Sequence, residues 1–131
     1  MGRDHNFEVV HSVTLFAEYL REGRLKLDKS VFAEERCTYQ DPCNVSRNGG
    51  CGKDAREIIQ YLCEDFVEME PHGDYNYCCG GGGGAIPMAG AFRERRIRSG
   101  KVKADQIRAT GASICITPCH NCYDQIRDLN K

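Results

Sequence analysis

Apolar positions recur at helical spacing in four stretches of the chain, with short apolar runs between them. In the leading stretch, residues 7–22, Val10, Val13, Ala17 and Leu20 fall three and four apart and predict a helix that Gly23 stops. His11 lies on or beside that face and reads as a packed or half-exposed helix histidine rather than a ligand. Residues 36–40 read as a short strand ending at Asp41-Pro42-Cys43, followed by a loop over 44–52 that contains Asn48-Gly49-Gly50. Ala55, Ile58, Ile59 and Leu62 form the next stripe, so 54–63 is predicted helical, with Asp54 and Glu57 in a capping arrangement. Cys63 closes that stripe as a small core residue. Residues 66–69 and 75–77 are further short strands, and the second runs into Cys78-Cys79 and the glycines Gly80 to Gly84. Helices are predicted over 85–98 and 102–110, with Gly100 between them and Gly111 after. An apolar strand over 113–117 ends at Pro118-Cys119, and a last helix starts near Cys119 with Cys122, Ile126 and Leu129 on one face.

Helices and strands in this order predict an α/β fold, a small, mostly parallel sheet flanked by helices. Ligands of such sheets gather at the carboxyl ends of the strands. Cys43, the Cys78-Cys79 pair and Cys119 all fall at predicted strand ends. With 131 residues, the chain is read as one domain, 1–131. The longest uncharged stretch, 75–92, is broken by glycines, so no membrane span is predicted. No basic segment precedes an apolar one, so no signal peptide is expected and the location is read as cytoplasmic. A net charge of -1 argues against nucleic acid as a partner. The basic stretch Arg93 to Lys103 reads first as a solvated helix face. Its functional alternative is the docking of an acidic partner or an anionic substrate.

Cysteine changes the picture. There are nine: Cys37, Cys43, Cys51, Cys63, Cys78, Cys79, Cys115, Cys119 and Cys122. An odd number cannot all pair, and without an export signal the pattern reads as metal-binding or redox-active. Thiolates suit zinc and iron–sulfur clusters. Only Cys119-His120-Asn121-Cys122 has the short chelate form of a zinc site. Adjacent cysteines such as Cys78-Cys79 are awkward ligands for one small ion and better suited to a multi-atom centre. Gly80, Gly81 and Gly82 permit close backbone approach, and their successive N–H groups can form a nest for an anion. No Gly-Lys-Ser/Thr follows, so the run is not a nucleotide loop. Cys37 and Cys115 sit in predicted strands as core residues, and Cys51 lies in a glycine-rich loop, more exposed.

Three segments together resemble the cysteine-rich CCG domain family: Thr38-Tyr39-Gln40-Asp41-Pro42-Cys43, Cys78-Cys79-Gly80, and Thr117-Pro118-Cys119-His120-Asn121-Cys122. That family includes heterodisulfide reductase catalytic subunits and the iron–sulfur subunits of some glycolate, lactate, glycerol-3-phosphate and succinate oxidoreductases. The glycine-rich CCG and the Cys-His-Asn-Cys-Tyr-Asp-Gln ending look closest to the heterodisulfide-reductase-like subunit of the membrane redox complex of dissimilatory sulfite reduction. The resemblance covers residues 36–131. It implies that Cys43, Cys78, Cys79, Cys119 and Cys122 ligate a noncubane [4Fe–4S] cluster, with Gly80, Gly81 and Gly82 as close backbone. His120 is implied at most as a proton donor or substrate-positioning residue. The resemblance further implies a disulfide- or trisulfide-bearing substrate, electrons from ferredoxin-type and membrane redox subunits, and membrane association only through those partners. The chain then reads as the C-terminal part of a larger subunit, not expected to turn over alone. The alternative is a zinc-stabilised interaction domain using a subset of the same cysteines, and purification in air is expected to leave zinc or no metal. A thioredoxin-like dithiol exchanger on Cys119 and Cys122 is the third reading.

Overall fold

The computed structural model describes residues 6–88 and 90–131. Three parallel strands make the sheet: β1 (Arg36–Tyr39), β2 (Asp65–Phe66) and β3 (Ile114–Ile116), in the order β2-β1-β3. Cys37 is opposite both Phe66 and Ile114, and Tyr39 is opposite Ile116. The central strand is buried on both faces: Cys37, Thr38 and Tyr39 have almost no exposed surface. Among the described residues four α-helices complete the α/β fold: α1 (Ser12–Arg21), α2 (Gly52–Leu62), α3 (Arg93–Thr110) and α4 (His120–Leu129). Val13 of α1 and Ala55 and Ile59 of α2 share one core with Cys37, Tyr39, Val45, Cys51 and Cys63, edged by Phe32, Phe66 and Ile114. Arg21 clamps α1 to α2 through Asp54 (2.7 Å) and Glu57.

The structure departs from the sequence pattern at several places. The leading helix starts at Ser12, not residue 7. His11 accepts the Val13 N–H on Nδ1 at 3.1 Å and so caps the helix, while Phe7 to Val10 stay outside it. The β-branched pair Val9-Val10 has poor helix propensity, so nothing local extends the helix backwards. The loop over 44–52 is largely a π-helical turn, Cys43–Asn48. The strand predicted over 66–69 shrinks to Asp65–Phe66, although the Val67 N–H still reaches the Cys37 carbonyl at 2.9 Å. Residues 75–77 form no strand: a single turn, Gly73–Tyr75, stands there instead, opened by Gly73 at φ +62°.

Gly100 does not separate two helices but lies inside α3 and is buried. A Cβ on it would stand 2.5 Å from Gln125 Nε2 and 2.9 Å from the Cys79 carbonyl oxygen. The position is glycine because another backbone packs there, not because the helix ends. The front of the predicted 85–98 helix is instead turns at 86–88 and 90–92; Ala89 lies outside the described residues. Gly111, at φ +65°, ends α3 as predicted.

Candidate metal centre

The first arm of the site leaves the carboxyl end of β1. Asp41 sits two residues before Cys43 with its side chain only 1% exposed. It accepts from Ser46 Oγ at 2.6 Å, from two nitrogens of Arg56 at 2.9 and 2.8 Å, and from the Gly73 N–H at 2.7 Å. Burial by itself would raise the Asp41 carboxyl. The donors from Arg56, Ser46 and Gly73 outweigh it and hold the group below the usual carboxylate range. The same residue's carbonyl accepts from Asn76 Nδ2 at 2.9 Å. Arg47, on the π-helical turn, donates to the carbonyls of Asp74 (2.9 Å) and Asn76 (2.7 Å). The segment leading to Cys78-Cys79 is therefore fastened to the segment carrying Cys43 by hydrogen bonds rather than by a sheet.

The glycine run follows. The Gly80 N–H donates to Cys78 Sγ at 3.3 Å, and the Gly81 N–H to Cys79 Sγ at 3.4 Å. Gly80 has φ +83°, and a Cβ there would meet the Gly100 backbone nitrogen at 2.8 Å. Two glycines thus face each other where the CCG turn crosses α3. The third arm leaves β3: Cys119 caps α4, and Cys122 is buried in its first turn. Gln125, fully buried on α4, donates to the Arg96 carbonyl at 2.7 Å and accepts from Arg96 Nη1 at 2.6 Å, locking α4 to α3 beneath the glycine turn.

Four of the five predicted ligand thiols form a connected chain. The electrostatics couple Cys43 with Cys78, Cys78 with Cys79, and Cys79 with Cys122, each thiol shifting its neighbour. The Cys79 thiol is pushed up to about 11, first by Cys122. Cys78 is raised by Cys79 and by burial, and Cys43 by burial and then by Cys78, with Arg47 pulling the other way. Sulfurs this close repel one another as thiolates, so their joint deprotonation calls for a bound cationic centre. Cys119, half-buried, stands at the N-terminal end of α4. Among the described residues, no three His, Cys, Asp or Glu side chains surround a point as one metal ion requires. A chain of sulfurs met by backbone N–H groups fits a multi-atom, anionic iron–sulfur centre.

The remaining cysteines divide differently from expectation. Cys37 and Cys63 are buried in the core, and Cys63 is pushed up to about 12 by burial and by Cys37. Cys51 is buried rather than exposed. Its thiol donates to the Gly49 carbonyl at 3.2 Å and accepts from Thr14 Oγ1 at 3.5 Å, because the helical turn folds it under α1. Cys115 is only half-buried and lines a groove of about 320 Å³ between α3, β3 and α4, since β3 is an edge strand. His120 is exposed, with Nε2 3.2 Å from Asp124 Oδ2. The basic stretch is not a uniform solvated face: Arg96 and Lys103 are buried, and Arg96 pairs with Asp128. The pattern of apolar positions did not single out Asp41, Arg47, Asn76 or Gln125 as supports. The one sequence signal was the placement of Asp41-Pro42 immediately before a ligand cysteine.

The profile of the CCG cysteine-rich domain matches residues 37–127. The chain is 32% identical over 121 residues to a probable membrane-anchored ferredoxin of Chromohalobacter salexigens, covering 92% of this chain and 17% of that protein. It is 31% identical to one of the subunits of the dihydromethanophenazine:CoB–CoM heterodisulfide reductase of Methanosarcina mazei, covering 98% of this chain and 30% of the relative. It is 30% identical to the Hdr-like menaquinol oxidoreductase iron-sulfur subunit 2 of Archaeoglobus fulgidus, covering 84% and 20%. The chain thus spans less than a third of the length of these relatives. No solved structure matches it.

Proposed function

The chain belongs to the cysteine-rich CCG domain family, and from that premise we propose that it is the iron–sulfur redox domain of a heterodisulfide-reductase-like oxidoreductase. The ligands in this reading are Cys43, Cys78, Cys79, Cys119 and Cys122, and the centre is a [4Fe–4S] cluster of the noncubane type. The observation that carries the reading is the thiol chain from Cys43 to Cys122, with the Gly80 and Gly81 N–H groups directed at two of its sulfurs. Such N–H groups stabilise thiolate sulfur and tune the potential of what it binds. Cys119 completes the set by its place at the N-terminal end of α4, whose unsatisfied N–H groups favour negative charge.

An iron–sulfur centre supplies one-electron transfer when bound. The chain's own residues hold and shield that centre. Asp41, Arg47 and Asn76 fix the first two arms, Gln125 fixes the third, and buried Cys79 and Cys122 keep water from its inner side. Cys78 and His120 lie on the exposed side, where substrate arrives. The reaction class is reduction or formation of a disulfide or trisulfide: in the reductive direction two electrons and two protons cleave one S–S bond, leaving two thiols from a disulfide and a thiol with a persulfide from a trisulfide. His120 is proposed as a proton donor, with Asp124 orienting it. The electrons come from ferredoxin-type and membrane redox subunits. Among the described residues no helix is long and apolar enough to cross a membrane, and in this reading attachment to one is made through those partners.

The test is anaerobic reconstitution of the 131-residue chain with iron and sulfide. We expect stoichiometric iron and sulfide and an EPR signal on one-electron oxidation or reduction. Cys79→Ala should lose most of the iron, and Cys63→Ala should keep it. Equal iron loss from both variants, or uptake of zinc alone by the wild-type chain, overturns the reading.

A further inference from the structure

Six cations lie between Arg93 and Lys103, and five have an evident place: Arg93, Arg95, Arg98 and Lys101 are exposed, and Arg96 is paired with Asp128. Lys103 is different. It is 1% exposed, and no carboxylate among the described residues lies within ion-pair distance of it. Its Nζ donates to Met69 Sδ at 3.6 Å, an uncharged and weak acceptor. A buried ammonium without a counter-ion is strongly disfavoured. Lys103 follows Gly100 by three residues on α3, where the Cys79 carbonyl crosses the helix, and the charges that bear on it are those of Cys115, Asp41, Cys79 and Cys122. Asp41 is already occupied by Arg56, Ser46 and Gly73. The anions left to Lys103 are therefore sulfurs, and two of them belong to the thiol chain.

We propose that Lys103 is the buried counter-charge of the thiolate centre, a positioning residue whose charge is balanced only when an anionic cluster occupies Cys79 and Cys122. The inference rests on the iron–sulfur reading above and adds a residue that no cysteine motif contains. Its consequence has opposite signs in two states of the protein. In the metal-free chain the charge is a liability, so removing it raises stability. In the loaded chain the charge holds the anion and favours the more negative, reduced state, so removing it weakens retention and lowers the potential.

Lys103→Met keeps the aliphatic volume, and Lys103→Gln serves if the Met variant packs badly. Three quantities are read on the wild type and both variants: the urea midpoint of the metal-free chain, the rate of iron loss to a chelator, and the midpoint potential by EPR-monitored titration. We expect metal-free variants at least as stable as the wild type and iron loss several-fold faster. The potential should shift negative by about 59 mV, which is a tenfold change for one electron. Variants that match the wild type in iron retention and potential overturn the counter-charge and leave the iron–sulfur reading standing. Variants equally destabilised with and without iron overturn it too, since that is the mark of a packing role. A wild-type chain that takes up no iron overturns the iron–sulfur reading itself, and the counter-charge with it.

Discussion

Asp41 joins two cysteine arms that lie far apart in the chain. Its carboxylate takes donors from Ser46, Arg56 and Gly73, and its carbonyl takes one from Asn76. Asp41→Asn would leave Arg56 with Glu68 alone and place an amide NH₂ against existing donors. Losing one partner of a buried pair costs roughly 2–4 kcal/mol, less than the full penalty because Arg56 keeps Glu68. The pH dependence follows from the lowered carboxyl. The contribution is complete above the unfolded value of about 3.9 and disappears as pH falls through the lower native value. Urea unfolding at neutral pH and below pH 4 checks both parts: Asp41→Asn should be less stable at neutral pH and show a shallower loss of stability in acid. A variant with wild-type acid dependence would place the titration elsewhere.

At the scale of elements, the crossing of the CCG turn over α3 makes a glycine in mid-helix intelligible. In a free helix Gly→Ala is worth about 1 kcal/mol of stabilisation. At Gly100 the added methyl would press on Gln125 Nε2, the Cys79 carbonyl and Leu129 Cδ1. Overpacking of this kind costs roughly 1–3 kcal/mol, so contact outweighs propensity. Gly100→Ala is expected to lower the thermal midpoint and, by displacing Cys79, to reduce iron retention after reconstitution. A stabilised Gly100→Ala would mean that the turn does not press on α3. The glycine run divides in the same way: Gly80 and Gly81 have close neighbours, while Gly83 and Gly84 have none. Substitution at Gly84, where no positive φ is required, should leave iron retention unchanged.

For the molecule as a whole, electron supply sets the limit on activity under the proposed function. Disulfide cleavage takes two electrons and one cluster passes one at a time, so a relay must resupply it. The 131-residue sequence carries one cysteine motif and no flavin or nicotinamide fingerprint. The reconstituted chain should therefore give no sustained disulfide reduction from a nicotinamide or a quinol, and should turn over only with a low-potential one-electron donor. Turnover from a quinol without an added partner would contradict this. The exposed cations Arg93, Arg95, Arg98 and Lys101 are the surface proposed for an acidic donor, and their neutralisation should slow reduction chiefly at low salt.

Periodicity alone determined the α/β class, the helices around Ala55–Leu62 and Cys122–Leu129, and the strands on either side of the site, because apolar spacing directly records which face is buried. The wording around Cys43, Cys78-Cys79 and Cys119–Cys122 carried the family resemblance, which implies the proposed ligand set. What tertiary structure decided was everything that depends on which segments meet. A glycine inside a helix and a glycine ending one look alike until another backbone is seen to cross it, as Cys79 crosses Gly100. The irregular turn at 73–75 is fastened through Asp41, Arg47 and Asn76, which no local pattern announces. Lys103 belongs to a run of cations in the sequence, and only its burial, with Nζ on Met69 Sδ, separates it from its solvated neighbours. Charge and burial belong to the folded surroundings of a residue, and those are assembled by contacts across the chain.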